Sequence, residues 1–346
     1  MKKLKIASLF SGGGGTDIGF AGNFSFLGKQ YSDNQIEIVY ANDIEDTANK
    51  MFENHFGIRP DSRNIREVIS SEIPTFDILT GGFPCQSFSV SAQNPKRLGI
   101  KDEKGTLFFE MVRILKDHKP KAFFAENVKG ILSANNKEAF PLIIAEFEKA
   151  GYNVSYKLCV ATKYGVPQKR ERVFIVGIRK DLGFRFEFPN EPIQNTLDYT
   201  PIKAILQQDI SEKYYFSEKA VQGMLNSKSG KKMNKGRAQD IELPSNTVSS
   251  HLAKVSLNST DPVLLENGRY RRYTPREVAR IQSFPEDYEL LGSESAQYKM
   301  LGNAIPPVMM WYVAQKLLSD LRNYDEVSRK QRYENSLGQI DLFEAV

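Results

Sequence analysis

The chain has 346 residues, 40% of them hydrophobic, and a formal net charge of +5. This length predicts about two domains. There is no run of about 18 apolar residues that would predict a membrane-spanning helix, and the apolar stretch after Lys5 is too short for a signal peptide. The two cysteines and three scattered histidines indicate neither a disulfide framework nor a metal site. We therefore expect a soluble, reduced, cytoplasmic protein without a metal, whose small positive charge only weakly favours a polyanionic partner.

Residues 5–10 are an apolar run that predicts a buried strand, and glycines follow at positions 12–15. A glycine turn between a strand and a helix is typical of nucleotide-type sites, although it can also be a flexible loop. Asp17 and Ile18 stand where the third glycine of Gly-x-Gly-x-x-Gly would be. This spacing argues against a dinucleotide pyrophosphate. It favours a nucleoside with an amino-acid tail, whose carboxylate the turn amides and the helix dipole would bind.

The second predicted strand, residues 36–41, is followed by Asp43 and by a predicted helix over residues 45–56. An acidic residue at this position suits the ribose hydroxyls of an adenine nucleoside. An ordinary surface aspartate is equally compatible with the pattern.

Residues 76–80 predict another buried strand, and Gly-Gly-Phe-Pro then leads to Cys85. Ligands of open α/β sheets bind at the carboxyl ends of the strands, so this thiol would lie in a crevice. A lone cysteine is usually buried and inert, but the irregular lead-in and the polar Gln86 and Ser87 favour a reactive one. Residues 87–104 are polar and predict a mobile active-site loop.

Residues 122–128 predict a strand that brings Glu126 to the same edge of the sheet as Cys85. Partial desolvation there would raise the pKa of the carboxyl toward the range of a general acid. Cys159, within a predicted strand over residues 154–160, is expected to be an inert core thiol. Residues 168–172 are rich in hydrogen-bond donors, although most such charge runs are solvated surfaces.

From residue 182 the alternation of strands and helices stops, which predicts a smaller irregular domain. Its basic residues suit a phosphate backbone, although a disordered surface loop is the alternative. These residues are Lys228, Lys231, Lys232, Lys235 and Arg237. Thr274 and Pro275 predict a helix start, and a last helix is expected to end near residue 321. The predicted division is 1–181 for catalysis and cofactor, 182–295 for target recognition, 296–322 for a returning helix and 323–346 for a polar tail.

Over nearly its whole length the chain resembles the bacterial DNA cytosine-C5 methyltransferases. In chain order, the motifs that carry the resemblance are Phe10-Ser11-Gly12-Gly13-Gly14-Gly15, Gly82-Phe83-Pro84-Cys85-Gln86, Gly105-Thr106-Leu107-Phe108-Phe109, Glu126-Asn127-Val128, Gln168-x-Arg170-x-Arg172, Arg271-x-x-Thr274-x-Arg276-Glu277-x-Ala279-Arg280-x-Gln282-x-Phe284-Pro285, and Gly302-Asn303-Ala304. Seven motifs in this order are highly specific. The resemblance implies an α/β, Rossmann-like S-adenosylmethionine-dependent methyltransferase domain with a mixed, mainly parallel sheet, and a smaller irregular target-recognition domain.

The resemblance also implies roles for individual residues. The implied catalytic residues are Cys85, Glu126, Arg170 and Arg172. The implied S-adenosylmethionine-binding residues are Phe10, Ser11, Gly12, Gly14, Gly15, Asp43, Ile44, Asn64, Ile65, Pro84, Leu107, Asn303 and Ala304. Two of these depart from the family pattern: Asp43 stands where Glu is usual, and Asn64 stands where Asp is usual. Both can still accept hydrogen bonds, so weaker cofactor binding is expected rather than lost activity.

The implied reaction is methylation of cytosine C5 in a specific double-stranded DNA sequence. Addition of a thiolate at C6 makes C5 nucleophilic, and the base must first be flipped out of the duplex. The DNA-binding residues implied by this interpretation, beyond the basic set above, are Gln86, Ser87, Ser91, Gln168 and Thr247. Thr247-Val248 resembles a residue pair common in target-recognition domains. Protection of host DNA from a cognate restriction endonuclease is the commonest role of the family.

The sequence disfavours three alternative functions. A tRNA cytosine-5 methyltransferase is disfavoured because the Cys-Phe-Thr signature is absent. A catalytically silent DNA-binding regulator is disfavoured because all four catalytic residues are present. A nicotinamide dehydrogenase is disfavoured by the missing third glycine. Separately, residues 339–343 (Gln-Ile-Asp-Leu-Phe) resemble a peptide that docks on the bacterial sliding clamp, although packing of this segment on its own domain is slightly favoured.

Overall fold

The computed structural model of the protein describes residues 3–84, 107–226, 237–254 and 261–343, with side chains described as far as residue 330 except at residue 254. Several predicted site residues lie outside these ranges: Cys85, Gln86, Ser87, Ser91, Lys228, Lys231, Lys232 and Lys235.

A six-stranded sheet forms the centre of the molecule. Its strands in chain order are β1 (Leu4–Leu9), β4 (Ile36–Asn42), β5 (Ile78–Gly81), β6 (Ala122–Val128), β7 (Tyr152–Val160) and β8 (Glu171–Arg179). The spatial order is β4-β1-β5-β6-β8-β7. The strands from β4 to β6 are parallel, and β8 runs antiparallel to both β6 and β7. The predicted α/β class with a mixed, mainly parallel sheet is confirmed.

Successive side chains of the central strands point to opposite faces of the sheet, and both faces are apolar. Ile78 and Phe124 join one core cluster, whereas Leu79 and Phe123 join the other, as the two-residue period of a strand requires. The helices that cover the sheet are α1 (Gly15–Ala21), α2 (Asp46–Phe56), α3 (Leu107–His118) and α4 (Ala139–Lys149). Buried side chains of α1 lie in the first cluster, and those of α3 and α4 lie in the second.

The remaining elements are smaller or follow the sheet. They are the hairpin β2 (Phe24–Phe26) and β3 (Lys29–Tyr31), α5 (Glu218–Asn226), a small sheet of β9 (Ala238–Gln239), β10 (Val263–Glu266) and β11 (Arg269–Arg271), and the helices α6 (Pro275–Ile281), α7 (Glu294–Asn303) and α8 (Pro307–Phe343). Short 3-10 turns connect many of them.

The C-terminal helices differ from the sequence prediction in two ways. The segment 275–295 falls within the predicted target-recognition region 182–295, yet Val278, Phe284 and Tyr288 pack in the same core cluster as β1 and β6. The last helix was expected to end near residue 321, but α8 continues to Phe343. The division into domains stays a prediction. Within the described ranges, no helix is both long and apolar enough to cross a membrane.

Candidate active site

The predicted site residues meet where the parallel strands end. The chain passes from β1 to β4 on one side and then to β5 on the other, and ligands of open sheets bind at such a switch point. Because β8 is antiparallel to β6, its first residues reach the same edge, where Arg172 pairs with Val128. This topology brings the end of β6, the start of β8 and the Gly-Gly-Phe-Pro lead-in to one place.

The turn after β1 contains backbone conformations with positive φ, which glycine adopts readily. Gly12 and Gly14 have φ values of +53° and +82°, which L-residues with side chains rarely adopt. Phe10 also has a positive φ, +54°, and a bulky residue in that region is an outlier typical of strained functional turns. A Cβ on Gly14 would lie 2.6 Å from the Phe56 ring, so this glycine faces the core.

Asp43, which directly follows β4, hydrogen-bonds to this turn. Its Oδ2 accepts the Gly12 N–H (2.8 Å), and its Oδ1 accepts the Glu45 N–H (2.9 Å). Burial raises the pKa of the Asp43 carboxyl, and these backbone donors oppose the change. Beside it, Ile44 is 68% exposed, which is unusual for a large aliphatic side chain and leaves an apolar surface beside the turn. Asn64 accepts the Arg66 N–H (3.2 Å) and so fixes the bend before the buried Ile65.

Glu126 and Arg172 form an ion pair at the sheet edge. Arg172 Nε lies 2.7 Å from Glu126 Oε1, and both side chains are 13% exposed. Burial raises the pKa of the Glu126 carboxyl, against the opposing effects of Arg172 and Arg170. A Cβ on Gly82 would lie 3.4 Å from Glu126 Oε2, so the segment leading to Cys85 passes close to the carboxyl.

Asn127 fixes that lead-in segment. Its Nδ2 donates to the Phe83 carbonyl (3.2 Å), and its Oδ1 accepts the Val128 N–H (2.9 Å). Because Phe83 is itself 2% exposed and packs on Phe108, the chain is held up to Pro84. Cys85 follows outside the described residues.

These features line one open cavity of about 570 Å³, a size typical of small-molecule sites. Of the described residues with predicted catalytic or cofactor roles, all but Gly14 line it: Phe10, Ser11, Gly12, Gly15, Asp43, Ile44, Asn64, Ile65, Pro84, Leu107, Glu126, Arg170, Arg172, Asn303 and Ala304. The cavity therefore joins the glycine turn to the Glu126–Arg172 pair. Within the described ranges, no cluster of potential metal ligands is found.

Arg170 and Gln168 form a buried network behind this cavity. Arg170 is 1% exposed and donates to the carbonyls of Val248 (3.3 Å), Gly302 (3.0 Å) and Ala304 (2.9 Å). Gln168 is 0% exposed, and its Oε1 accepts the Val248 N–H (3.0 Å). The two side chains therefore hold both polar backbone atoms of Val248.

This network corrects the prediction that Gln168 contacts DNA, because its side chain is buried and its Nε2 donates to Gln282 (2.9 Å). Arg237 is likewise placed differently from its predicted DNA-binding role: it is 4% exposed and donates to the Asp261 carbonyl (3.2 Å). Thr247, in contrast, is exposed, and its hydroxyl donates to the Lys169 carbonyl (2.9 Å). Lys169, whose carbonyl accepts the Thr247 hydroxyl, has an exposed side chain and was not among the predicted DNA-binding residues.

Sequence reasoning missed two further buried groups beside the glycine turn. Tyr288, from the segment between α6 and α7, donates its hydroxyl to the Gly13 carbonyl (2.7 Å). Asp17, in the first turn of α1, is 1% exposed, and neither carboxyl oxygen has a hydrogen-bond partner among the described residues. No spacing signal pointed to Tyr288. Asp17 was noticed only as an interruption of the glycine pattern.

Comparisons with known proteins find a matching family model, similar relatives and a similar fold. The family model described as C-5 cytosine-specific DNA methylase matches residues 4–319. Type II methyltransferase M.FnuDI of Fusobacterium nucleatum is 36% identical over 95% of this chain and 98% of its own length. Type II methyltransferase M1.ScrFI of Lactococcus lactis subsp. cremoris is also 36% identical, over 92% of this chain and 79% of its own. Among solved structures, S. pombe Dnmt2 methyltransferase has a similar fold, with a TM-score of 0.72 at 20% identity over 92% of this chain and 99% of that one.

Proposed function

This chain belongs to the C-5 cytosine-specific DNA methylases and is a DNA cytosine methyltransferase, and from that membership we propose its cofactor, its covalent mechanism and its biological role. It transfers a methyl group from S-adenosylmethionine to C5 of a flipped-out cytosine in a specific short duplex sequence. The observation that carries the proposal is the single cavity that joins the glycine turn to the Glu126–Arg172 pair beside the lead-in to Cys85.

The residues of the cavity fit a nucleoside with an amino-acid tail. Asp43 presents a carboxylate to ribose hydroxyls, and the exposed side chain of Ile44 offers an apolar surface to a flat base. Asn64 and Asn303 add amide groups at the rim of the cavity. When bound, S-adenosylmethionine supplies the methyl group as a sulfonium.

The chain's own residues activate the cytosine. The Cys85 thiolate adds to C6, and the electron pair displaced from the C5–C6 bond makes C5 nucleophilic. Glu126 donates a proton or a hydrogen bond to N3, which draws electrons from C6. Arg172 holds the O2 oxygen while charge develops there. After methyl transfer the C5 proton leaves, and the thiolate then departs from C6 and restores the aromatic ring.

We propose a positioning role for Arg170 instead of the predicted catalytic role. Its Nη1 and Nη2 donate to three backbone carbonyls, so it positions the segments around Val248 and Ala304 rather than contacting the base, although its buried Nε has no partner among the described residues. Thr247 is exposed and hydrogen-bonded to the Lys169 carbonyl, which supports its proposed role in contacting DNA. Base contacts would then set the target sequence, while cations position the phosphates.

The proposed biological role is protection of host DNA in a restriction-modification system, with a cognate endonuclease as functional partner and the cytoplasm as the place of action. The relatives M.FnuDI and M1.ScrFI are named type II methyltransferases, which supports this role.

Docking on the sliding clamp through Gln339–Phe343 is a separate proposal. These residues form the end of α8, and their side chains lie outside what the structure describes. A pull-down with the clamp should recover the intact chain better than the Leu342→Ala/Phe343→Ala variant. Equal recovery would end the proposal.

A trapping experiment tests the covalent mechanism. Random-sequence duplex DNA with 5-fluorocytosine in place of cytosine is incubated with the protein and S-adenosylmethionine. Because fluorine at C5 leaves no proton to abstract, the thiolate cannot depart, and a protein–DNA adduct that resists denaturation should accumulate. The chain has two cysteines, which provides a matched control. Cys85→Ala should abolish the adduct, whereas Cys159→Ala, which removes a fully buried thiol, should retain it.

Three other outcomes of the trapping experiment would contradict the proposed covalent mechanism on DNA. An adduct with tRNA containing 5-fluorocytosine but none with DNA would favour the RNA-methylating alternative. No adduct with either, despite DNA binding, would favour a silent DNA-binding protein. An adduct that survives Cys85→Ala would assign the nucleophile elsewhere.

A further inference from the structure

We propose that Tyr288 is a positioning residue for the glycine turn of the cofactor site, acting through the Gly13 carbonyl. The tyrosine is fully buried, and its hydroxyl donates to that carbonyl at 2.7 Å. It lies 275 positions away along the chain, so the contact joins the segment between α6 and α7 to the turn after β1. The inference rests on the proposed S-adenosylmethionine site.

The hydrogen bond fixes one peptide plane of the turn. Gly13 O and Gly14 N belong to the same peptide group, and Gly14 N–H donates to the Ser11 carbonyl (2.9 Å). With Tyr288 on the carbonyl, that group is held at both ends. The Gly12 N–H is held by Asp43 (2.8 Å), so the peptide groups on both sides of the Gly13 N–H are fixed.

The Gly13 N–H itself is left available. It has no hydrogen-bond partner among the described residues, and Gly13 lines the cavity. A turn containing successive glycines has many accessible conformations when unconstrained. Holding its peptide planes before the ligand arrives reduces the entropy lost on binding, which is the role we assign to Tyr288.

The tyrosine ring is rigidly held, as a positioning residue requires. It packs on Phe284 with ring centroids 4.7 Å apart and on His55 at 5.3 Å. Arg276 Nη2 donates to the Tyr288 carbonyl (2.8 Å). Burial raises the pKa of the Tyr288 hydroxyl, so the group remains a donor.

The glycine turn and the C-terminal segment are in direct contact at Gly13. A Cβ on Gly13 would lie 2.5 Å from Met300 Sδ and 2.7 Å from the Tyr288 hydroxyl oxygen. The turn therefore lies directly against the C-terminal segment. A change at Tyr288 is transmitted to the turn without an intervening residue.

The test compares Tyr288→Phe with Tyr298→Phe. Tyr298 is equally buried, and its hydroxyl also donates to a backbone carbonyl, that of Tyr273 (2.5 Å), which is not part of the glycine turn. Both variants therefore lose the same atom and the same type of bond. Calorimetry measures binding of S-adenosylmethionine and S-adenosylhomocysteine, steady-state kinetics gives KM and kcat, and urea unfolding measures stability.

We expect Tyr288→Phe to weaken cofactor binding by about five- to tenfold, the value of one hydrogen bond. KM for the cofactor should rise while kcat at saturation and KM for DNA stay unchanged. Tyr298→Phe should bind the cofactor as the wild type does, even if it loses comparable stability.

The outcomes distinguish an error in the proposed cofactor site from an error in the role assigned to Tyr288. If the wild-type chain binds neither ligand, the proposed cofactor site is wrong. If the wild type binds and Tyr288→Phe binds equally well, the positioning role is wrong while the site stands. If both variants lose affinity in proportion to their loss of stability, Tyr288 is merely structural, which also overturns the inference.

Discussion

The chemistry proposed for Glu126 depends on the burial of its carboxyl. Burial raises its pKa above the ordinary value of 4.5, so near neutral pH it carries a proton more often than an exposed glutamate does. We expect Glu126→Gln to lower kcat by about 100- to 10,000-fold, the usual contribution of a general acid. The wild-type kcat should fall as pH rises through the raised pKa, and the residual activity of the variant should lack that limb.

Glu171→Gln is the matched control for Glu126. Glu171 lies beside Arg172 in sequence, but its exposed side chain pairs with Lys129 (2.9 Å) at the surface. Its replacement should leave kcat and the pH profile unchanged. A Glu126→Gln enzyme with wild-type kcat would contradict the assigned role.

Asp17 gives a pH dependence of stability rather than of activity. Burial raises the pKa of its carboxyl from 3.8 to about 7. Between these values the folded chain binds the proton that the unfolded chain has released, so the free energy of unfolding falls as pH rises through that window. Asp17→Asn removes the ionisable group and should make the decline shallower in urea unfolding at a series of pH values.

Asp46→Asn serves as the comparison for Asp17, since Asp46 also lies in the first turn of a helix but forms an exposed pair with Lys50. Its pH profile of stability should follow the wild type. Superimposable profiles for wild type and Asp17→Asn would show that Asp17 is not protonated as proposed.

At the scale of elements, a buried ion pair joins β11 to α6. Arg271 donates to both carboxyl oxygens of Glu277 (2.8 and 2.9 Å), and both side chains are 0% exposed. The same carboxyl accepts the Thr274 N–H in the capping box of α6. Arg271 also pairs with Glu266 (2.8 Å), whose side chain is 29% exposed. Glu277→Gln should lower the free energy of unfolding by about 3 kcal/mol, because it leaves the buried guanidinium with one carboxylate instead of two.

The exposed ion pair Arg269–Glu212 provides the control for the buried Arg271–Glu277 pair. It also starts from β11, but its side chains are 53% and 77% exposed, and such pairs contribute little. Glu212→Gln should hardly change the urea midpoint. Equal losses in the two variants would show that burial is not what gives the Arg271 pair its strength.

The strands and the sheet edge could be predicted from the sequence because apolar runs bounded by glycine or polar residues mark them locally. The predicted strand over residues 122–128 matches β6 (Ala122–Val128), and Glu126 lies at its carboxyl end. The burial of Gln168 could not be predicted. It depends on Val248 and Gln282, which lie 80 and 114 positions away, and a run of polar residues looks the same whether solvated or enclosed.

The end of the last helix was predicted wrongly for a local reason. Residues after 321 are polar and carry no apolar stripe, which predicts a tail, but they also lack proline or glycine until position 338. The segment up to Gly338 therefore contains no helix breaker, and α8 continues through this glycine to Phe343.

At the scale of the whole molecule, residues 296–305 join the sheet edge and the glycine turn in lining the cavity. Gly15 approaches Ile305 so closely that a Cβ would lie 2.4 Å from its carbonyl oxygen. Lys299 Nζ contacts Glu45 Oε1 (2.6 Å) beside the proposed ribose site. The C-terminal segment thus completes a site that the sequence analysis assigned mainly to the N-terminal half.

The central claim, sequence-specific methylation of cytosine C5, is tested most directly by bisulfite sequencing. Plasmid DNA is isolated from cells that express the chain and from cells that express Cys85→Ala. We predict cytosines protected in one short motif with the wild-type chain and none protected with the variant. Absence of protected cytosines in both samples, with the protein folded and expressed, would contradict the account.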